Sequence, residues 1–291
     1  MTEMFTEQAR PAASVVKPEA TRERGQRPPR VPGQRKPFRG WRLFTARAAL
    51  LLVVVGVWQL VVSSGAAPPV LAVYPADVSG FLLEAVRSGE LVEATAATMY
   101  ATLIAFVLAS VVGVVCGISL GLLPRTESVV MPYLDAVNAM PRIALAPVFI
   151  IAFGISVTAK IALAFTVVVF ILLFNARAGI RSADPDVMRL SKVLGATKAQ
   201  LFWKVMLPVA VPSIFAGLRL GLIYSLLGVV TAEIIASKVG LGQLIMQYSG
   251  LYRLEGVFGI LIVLAVLGAL INMLMSAAER WILRYQPPED H

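Results

Sequence analysis

Histidine and cysteine are almost absent from this chain, which contains one residue of each among 291. The histidine is the last residue, His291, where a solvated terminus is expected, and Cys116 lies within a long apolar run. A single cysteine cannot form an internal disulfide, and neither residue belongs to a group with the spacing of a metal site. We therefore predict no catalytic residue, no metal site and no cofactor.

A nucleotide-binding loop is missing as well. Residues 154–161 (GISVTAKI) are spaced like a phosphate-binding loop. They lack the second glycine of that motif and the terminal Ser or Thr that would hold magnesium. The chain is therefore predicted not to hydrolyse ATP or GTP by itself.

Charge is scarce, at 15% of residues, whereas 58% are hydrophobic and the mean hydropathy is +0.78. A soluble domain is typically about 25% charged and about 45–50% apolar. No charge occurs in residues 48–76, 94–124 or 256–278. Because about 20 apolar residues let a helix cross a hydrocarbon core about 30 Å thick, the composition predicts a membrane protein.

The apolar runs predict an all-α polytopic fold with six transmembrane helices. The six predicted spans are residues 48–62, 97–123, 129–153, 157–174, 214–235 and 257–278. The third span contains Asp135, Pro141, Arg142 and Pro147. Its first half is therefore expected to be bent or to lie at the membrane surface, because helix-breaking residues need partners for the freed backbone groups.

The basic residues are distributed asymmetrically across this arrangement. Twenty of the 26 Lys and Arg residues lie on one side, eleven of them in residues 1–47 and six in the loop after the fourth span. By the positive-inside rule, both termini are predicted to be cytoplasmic, and the protein to reside in the cell (inner or plasma) membrane. The net charge of +9 is then a topological signal and not a nucleic-acid site.

The two ends of the chain are predicted to be tails. Residues 1–47 are rich in Pro, Arg and Gln without hydrophobic periodicity, which predicts a disordered basic cytoplasmic tail. An alternative is an anionic-lipid contact through the last basic residues of this tail. These residues are Arg35, Lys36, Arg39 and Arg42. Residues 280–291 are predicted to be a cytoplasmic C-terminal tail.

The second span carries small residues at every fourth position. These are Ala109, Gly113, Gly117 and Gly121. A spacing of four places them on one helix face, where another backbone can approach closely. The partner is either a helix of the same subunit or a second subunit.

Four ionisable residues in or beside the predicted spans are candidate pathway or gating residues, because charges at membrane depth are costly. They are Glu233, Arg219, Asp135 and Arg142. Each also has a structural interpretation. The two arginines can extend toward the cytoplasmic interface, and Asp135 can pair with either of them.

The loop after the fourth span has the signals of two short helices. Asp184 is a good N-cap before Pro185, and a helix over 185–194 would end at Gly195. A second helix over 198–206 is expected to end before Pro208. Together they would form a compact knob at the cytoplasmic surface, although an ordinary linker resting on the bilayer has the same pattern.

This loop resembles the cytoplasmic loop of binding-protein-dependent ABC importer permeases. In that family a Glu-Ala-Ala triplet lies three residues before a glycine, and a Leu-Pro pair follows. Here the glycine is Gly195 and the pair is Leu207 and Pro208. The residues at the positions of the triplet are Arg189, Leu190 and Ser191, a departure from the pattern.

Further motifs resemble the group of this family that imports nitrate, sulfonates or taurine. They are residues 140–147 (MPRIALAP) before Phe153 and Gly154, residues 176–184 with Gly179, residues 217–219 (GLR), and Glu233 followed by residues 240–242 (GLG). The resemblance covers residues 93–279 and, in addition, the first span.

The resemblance implies a type I importer permease with a five-helix core formed by spans 2–6, and a first helix at 48–63 outside that core. It implies a coupling loop at 184–208 that docks on separate ABC ATPase subunits, and an extracytoplasmic solute-binding protein. A second copy of the chain would complete a homodimer in the lipid bilayer. The implied substrate is a small anion such as a sulfonate, taurine or nitrate. The alternatives are a pyrimidine-type vitamin precursor and, from other classes, a stand-alone secondary transporter or a membrane scaffold.

Overall fold

A computed structural model describes residues 40–66, 68 and 72–282. The chain divides into two units, Met1–Leu52 and Val53–His291, and their boundary falls within the first helix. The tail through residue 39, its proposed lipid contact at Arg35, Lys36 and Arg39, and the C-terminal residues 283–291 lie outside the described residues.

The described residues form eleven α-helices and no β-strand. In chain order they are α1 (Gly40–Ser63), α2 (Pro75–Arg87), α3 (Glu90–Leu122), α4 (Pro124–Ala139), α5 (Ala146–Phe153), α6 (Val157–Arg181), α7 (Pro185–Val193), α8 (Lys198–Leu201), α9 (Leu207–Ile235), α10 (Leu241–Gly250) and α11 (Leu254–Ile282). A 3₁₀ turn (Arg142–Leu145) precedes α5, and a π-helical turn (Phe202–Met206) joins α8 to α9.

Five of these segments are long and apolar enough to cross a membrane: α1, α3, α6, the continuous stretch Lys198–Ile235, and α11. The predicted third span is instead a broken pair, α4 with the 3₁₀ turn and α5, bent by 82°. The break lies at Met140 and Pro141, which have extended backbone conformations. Proline disfavours a helical residue before it, so Pro141 explains the predicted bend. Counted as one broken span, this pair brings the number of candidate spans among the described residues to six.

The start of the first helix and the presence of helix α2 differ from the sequence expectation. The first helix begins at Gly40 and not at residue 48, because Arg, Leu and Ala continue a helix beyond the apolar run that hydropathy detects. Helix α2 was not predicted, since its 13 residues are too short and too amphipathic for a span. It buries Val78, Phe81 and Ala85.

Helices α3, α6 and α9 pack together as the centre of the fold. The small-residue face of α3 is covered by α6 of the same chain: a Cβ on Gly113 would lie 2.6 Å from the carbonyl oxygen of Val169, and one on Gly121 would lie 2.8 Å from the side chain of Ile180. A Cβ on Gly117 would lie similarly close to the carbonyl oxygen of Leu173. The small residues therefore serve packing within the subunit and not a contact between subunits.

Within the larger unit, the second half of α1 makes its contacts through one aromatic residue, Trp58. The indole N–H of Trp58 donates to the carbonyl oxygen of Val73 at 3.1 Å, and its ring lies 5.9 Å from that of Phe258 in α11. Most side chains along α1 are otherwise exposed.

Candidate functional site

Helix α7 is delimited by local signals at both ends. The carboxylate of Asp184 accepts the backbone N–H of Asp186 at 2.7 Å, and Pro185 occupies the first turn. At the other end, Gly195 has φ +85°, its N–H donates to the carbonyl oxygen of Lys192, and that of Ala196 donates to Ser191, both at 3.0 Å. These are the two bonds of a Schellman C-cap, in which a residue with a Cβ would be strained by about 1 kcal/mol.

Helix α8 begins with a capping box in which Thr197 accepts the N–H of Gln200 at 3.2 Å and donates its own N–H to that side chain at 2.8 Å. The expectation that this helix ends before Pro208 is wrong. The chain continues through the π-helical turn into α9, and the N–H of Leu207 bonds to the carbonyl of Phe202, five residues back. This longer turn accommodates Pro208, which has no N–H to donate.

We call residues 185–201, from the start of α7 to the end of α8, the loop knob. Apolar side chains at the end of α7 face outward: Val193 is 83% and Leu194 is 78% exposed, and Leu190 is also exposed, whereas Leu201 in α8 is buried. Arg189 is exposed, whereas Ser191 is half-buried and its hydroxyl donates to the carbonyl of Val187 at 2.8 Å. Contiguous exposed apolar groups of this kind mark contact surfaces for other proteins or for the membrane.

An ion-pair cluster holds the helix that leads into the loop knob. Glu127 near the start of α4 is only 3% exposed, and it pairs with Arg177 and Arg181 in the last turns of α6. The distance from Arg181 Nη2 to Glu127 Oε2 is 2.8 Å. Sequence reasoning treated both arginines as topological charges and did not single out Glu127.

Glu233 lies at the opposite end of the fold, where it is 1% exposed. Its carboxylate accepts the hydroxyl of Thr98 at 2.9 Å, the ammonium of Lys160 at 3.1 Å and the backbone N–H of Gly242 at 3.0 Å. Gly240 has φ +137°, and a Cβ on it would overlap this carboxylate. Glu233 therefore joins α3, α6 and the start of α10 to α9.

The partners of Glu233 are themselves held in place. The hydroxyl oxygen of Thr98 accepts the N–H of Leu241 at 2.9 Å, and Lys160 also donates to the carbonyl of Val239 at 2.6 Å. From the sequence, Lys160 was counted only as a charge on the outer side. The lysine is 5% exposed, so the pair forms a buried clamp and not a solvated surface contact.

Tyr248 in α10 contributes a second polar contact at this end. Its hydroxyl donates to Glu90 at 2.7 Å. Burial and this hydrogen bond raise the pKa of Tyr248 to about 12, so the phenol remains a donor at physiological pH.

The alternative interpretation, that Asp135 pairs with Arg142 or Arg219, is not what the described residues show. Arg219 in α9 pairs with Glu279 in α11. Asp135 is exposed, and no ion pair involves it among the described residues. The alignment of neighbouring helices determines which charged side chains form ion pairs, so closeness in the sequence did not predict the partner of Asp135 or of the two arginines.

Arg142 does not extend to the cytoplasmic interface as one interpretation expected. Its Nη1 donates to the carbonyl oxygens of Thr166 and Val167 in the middle of α6, and its Nη2 donates to Asn138 Oδ1 at 2.7 Å. The guanidinium carbon lies 4.1 Å from the ring centre of Phe170.

The same arginine lines a cleft of about 470 Å³ between the broken span, α6 and α9. The lining includes the polar side chains of Tyr224 and Thr231 together with apolar residues such as Leu163 and Leu227. The structure thus assigns the four predicted intramembrane residues to separate places: a clamp, an interhelical pair, a cleft and an exposed position.

Residues 109–284 match the model of a family described as binding-protein-dependent transport system inner membrane component. Similar proteins include the putative aliphatic sulfonates transport permease SsuC of Bacillus subtilis, 30% identical over 80% of this chain and 85% of that protein. The riboflavin transport system permease RibX of Chloroflexus aurantiacus is 33% identical over 84% and 91%. The taurine transport system permease TauC of Escherichia coli is 30% identical over 82% and 89%.

A solved structure of the MetNI methionine ABC transporter in an inward-facing conformation contains a chain with the same fold. The two chains align with a TM-score of 0.61 at 20% identity, over 67% of this chain and 97% of the other. An amino acid ABC transporter aligns with a TM-score of 0.54 at 22% identity, over 69% and 97%.

Proposed function

The chain belongs to the family of binding-protein-dependent transport system inner membrane components and is a multi-pass transmembrane permease of an ABC importer, and we propose that its loop 184–208 docks on a separate ABC ATPase. An extracytoplasmic binding protein would deliver the solute, and a second copy of the chain would complete the pathway. The family membership removes the stand-alone secondary transporter and the membrane scaffold as alternatives.

The observation that carries this proposal is the outward-facing apolar surface of the loop knob. Leu190 and Val193 lie on a helix with well-defined caps and Leu194 is its C-cap residue, so the three side chains are held in a fixed arrangement. Apolar residues on a rigid exposed helix are suited to insertion into a groove on a partner protein.

The connections of the loop knob support a mechanical coupling. On one side, α8 continues into α9 without a break in the helix. On the other side, α6 is tied to α4 by Glu127, Arg177 and Arg181. A displacement of the knob would therefore move the inner ends of α4, α6 and α9 together, as alternating access between two states requires.

An exposed stripe on α9 supports pairing with a second copy. Leu220, Tyr224 and Leu227 are exposed and Thr231 is half-buried, at spacings of four, three and four that place them on one helix face. Between residues 217 and 234, the other side chains of α9 are buried or half-buried by its own chain. A homodimer would bring two such stripes and two Arg142-lined clefts toward one pathway.

Cross-linking tests the docking proposal. In a Cys116→Ser background, a cysteine replacing Arg189 is expected to cross-link to the co-expressed ATPase, because this side chain is exposed at the position of the family's docking triplet. Ser191→Cys should react more weakly, since this side chain is half-buried. Products are measured by mass spectrometry, with Ser249→Cys at the other end as the control. An ATPase cross-link from Ser249→Cys and none from Arg189→Cys would contradict the proposal.

Cysteine labelling tests the orientation. The basic-residue distribution predicts that residues 175–205 are cytoplasmic and 236–255 external. Ser182 and Ser249 are both exposed, so a cysteine at either position can react with a maleimide. In intact cells an impermeant maleimide should label Ser249→Cys and spare Ser182→Cys until the cells are lysed. The reverse pattern would invert the assigned topology.

For the substrate we propose a small anion such as an aliphatic sulfonate, taurine or nitrate. The support comes from relatives named for aliphatic sulfonates and taurine. A vitamin or pyrimidine-type precursor is the second candidate. It is favoured by the riboflavin permease and by a formylaminopyrimidine permease of Halalkalibacterium halodurans, 33% identical over 58% of this chain. Uptake by proteoliposomes containing the permease, ATPase and binding protein decides between them.

A further inference from the structure

We propose that the cleft lined by Arg142 binds the anionic group of an organic substrate with an apolar body, such as an alkanesulfonate, as it crosses the membrane. This inference rests on the proposed function of the chain as a solute permease. It narrows the substrate class and assigns a specific residue to substrate contact.

The first step is the depth of Arg142. Its guanidinium contacts carbonyl oxygens of Thr166 and Val167, and Thr166 lies about 14 Å along the axis of α6 from Val157 at 1.5 Å per residue. A hydrocarbon core is about 30 Å thick, so this position is close to its middle. A cation at such depth is costly unless it is paired or serves a pathway.

The second step is the missing counter-charge. Each of the other three arginines in the interhelical pairs of the core has a glutamate partner: Arg177 and Arg181 share Glu127, and Arg219 has Glu279. The acceptors of Arg142 are instead neutral, namely two backbone carbonyls and Asn138, and no carboxylate pairs with it among the described residues. Its positive charge is held in position but not neutralised.

The third step is the donor count. A guanidinium has five N–H donors. The contacts to Thr166, Val167 and Asn138 use three of them, which leaves two donors for a further acceptor. Two N–H groups in a planar guanidinium suit two oxygens of a sulfonate or carboxylate. Tyr224 adds a hydroxyl with no hydrogen-bond partner within the described part of the chain.

The remaining lining sets the character of the rest of the solute. Ile143, Leu163, Val167 and Leu227 give the cleft an apolar wall. Such a wall suits an alkyl body, whereas nitrate has no apolar part that could be buried against it. No acidic side chain lines the cleft among the described residues, so the ammonium group of taurine would also lack a partner.

Charge-selective thiol labelling tests the site. In a Cys116→Ser background, Thr231→Cys places a thiol in the cleft of the permease, purified with its ATPase in nanodiscs. Rates are measured with two methanethiosulfonates, the anionic sulfonatoethyl and the cationic trimethylammonioethyl reagent. With Arg142 present we expect the anionic reagent to be favoured, and Arg142→Gln to reduce the anionic-to-cationic rate ratio about tenfold. Arg142→Lys should retain the preference, and Ser249→Cys should show no dependence on Arg142.

Pentanesulfonate serves as the probe of substrate binding. It should slow the labelling of Thr231→Cys when Arg142 or Lys is present, and should not do so in the Arg142→Gln variant. A rate ratio that is independent of Arg142, or an absence of protection in the presence of Arg142, would overturn the inference. If Thr231→Cys is unreactive, Leu227→Cys is used in its place. If neither variant reacts with either reagent, the inference is also overturned.

The labelling needs neither ATP hydrolysis nor a binding protein. Its failure therefore leaves the cross-linking test of the ATPase contact unaffected. Conversely, a chain that fails to cross-link to the ATPase but shows the Arg142-dependent labelling would refute the docking proposal alone.

Discussion

Replacing Glu233 with alanine is expected to destabilise the permease by about 3–5 kcal/mol, the usual loss when one partner of a buried ion pair is removed. The substitution would leave the ammonium of Lys160 buried without a counter-charge and remove the acceptor of Thr98 and Gly242. The start of α10 would lose its attachment to α9. We expect a large fall in the melting temperature of the detergent-purified protein, measured by size-exclusion after heating, and correspondingly little uptake.

Two further variants separate charge from packing in this clamp. Glu233→Gln retains acceptors for Thr98 and Gly242 but not the charge, so an intermediate loss of stability is expected. Glu233→Gln combined with Lys160→Met removes both charges and should recover part of the stability. Glu84→Ala, at an exposed position, is the matched control. A Glu233→Ala protein that melts like the wild type but transports poorly would instead support a gating role for the carboxylate.

The membrane-spanning part of the fold was predictable from the sequence because burial of about 20 apolar residues leaves a direct trace in hydropathy. The break at Pro141 could also be predicted, because proline both causes it and marks it in the sequence: it disfavours a helical conformation in the residue before it. Helix α2 and the start of α1 at Gly40 were missed, because helix outside the hydrocarbon core leaves no comparable apolar run.

The loop shows how far local signals extend. The expected helix over 185–194 is found as Pro185–Val193, because the Asp184 cap and the Gly195 turn act within a few residues. The continuation of α8 into α9 was missed, since Pro208 usually indicates a helix end and a π-helical turn has no evident sequence signature. The caps of a helix can be predicted from a few neighbouring residues. Whether a helix continues past a proline depends on the packing around it.

The buried ion pairs could not be predicted in the same way. Lys160 is 73 residues from Glu233, and Arg177 is 50 residues from Glu127. Which of these charges meet depends on the rotation and register of packed helices, and many alternatives have equal sequence support. Arg142 and Asn138 are only four residues apart, but the break at Met140 and Pro141 lies between them, so helical spacing did not indicate their contact.

Replacing Leu194 with aspartate is expected to abolish uptake while leaving the transmembrane fold intact. Leu194 is 78% exposed in the chain by itself, so the substitution removes no internal packing. If the loop knob inserts into an apolar groove of the ATPase, a carboxylate there would be desolvated without a partner. A central residue of an interface contributes about 2 kcal/mol or more, which corresponds to a roughly 30-fold weaker contact. Co-purification of the ATPase and ATP-driven uptake in proteoliposomes measure the effect.

Ala199→Asp in α8 is the matched control for this experiment. It adds the same charge at an exposed position of the same loop, and an acid in the first turn of a helix is favourable. The Leu194→Asp protein should have the melting temperature of the wild type, because its own core is unchanged. Loss of the ATPase from Leu194→Asp and its retention by Ala199→Asp would place the apolar end of α7 in the interface. Equal ATPase retention and equal uptake by both variants would show that the coupling contact lies elsewhere on the loop.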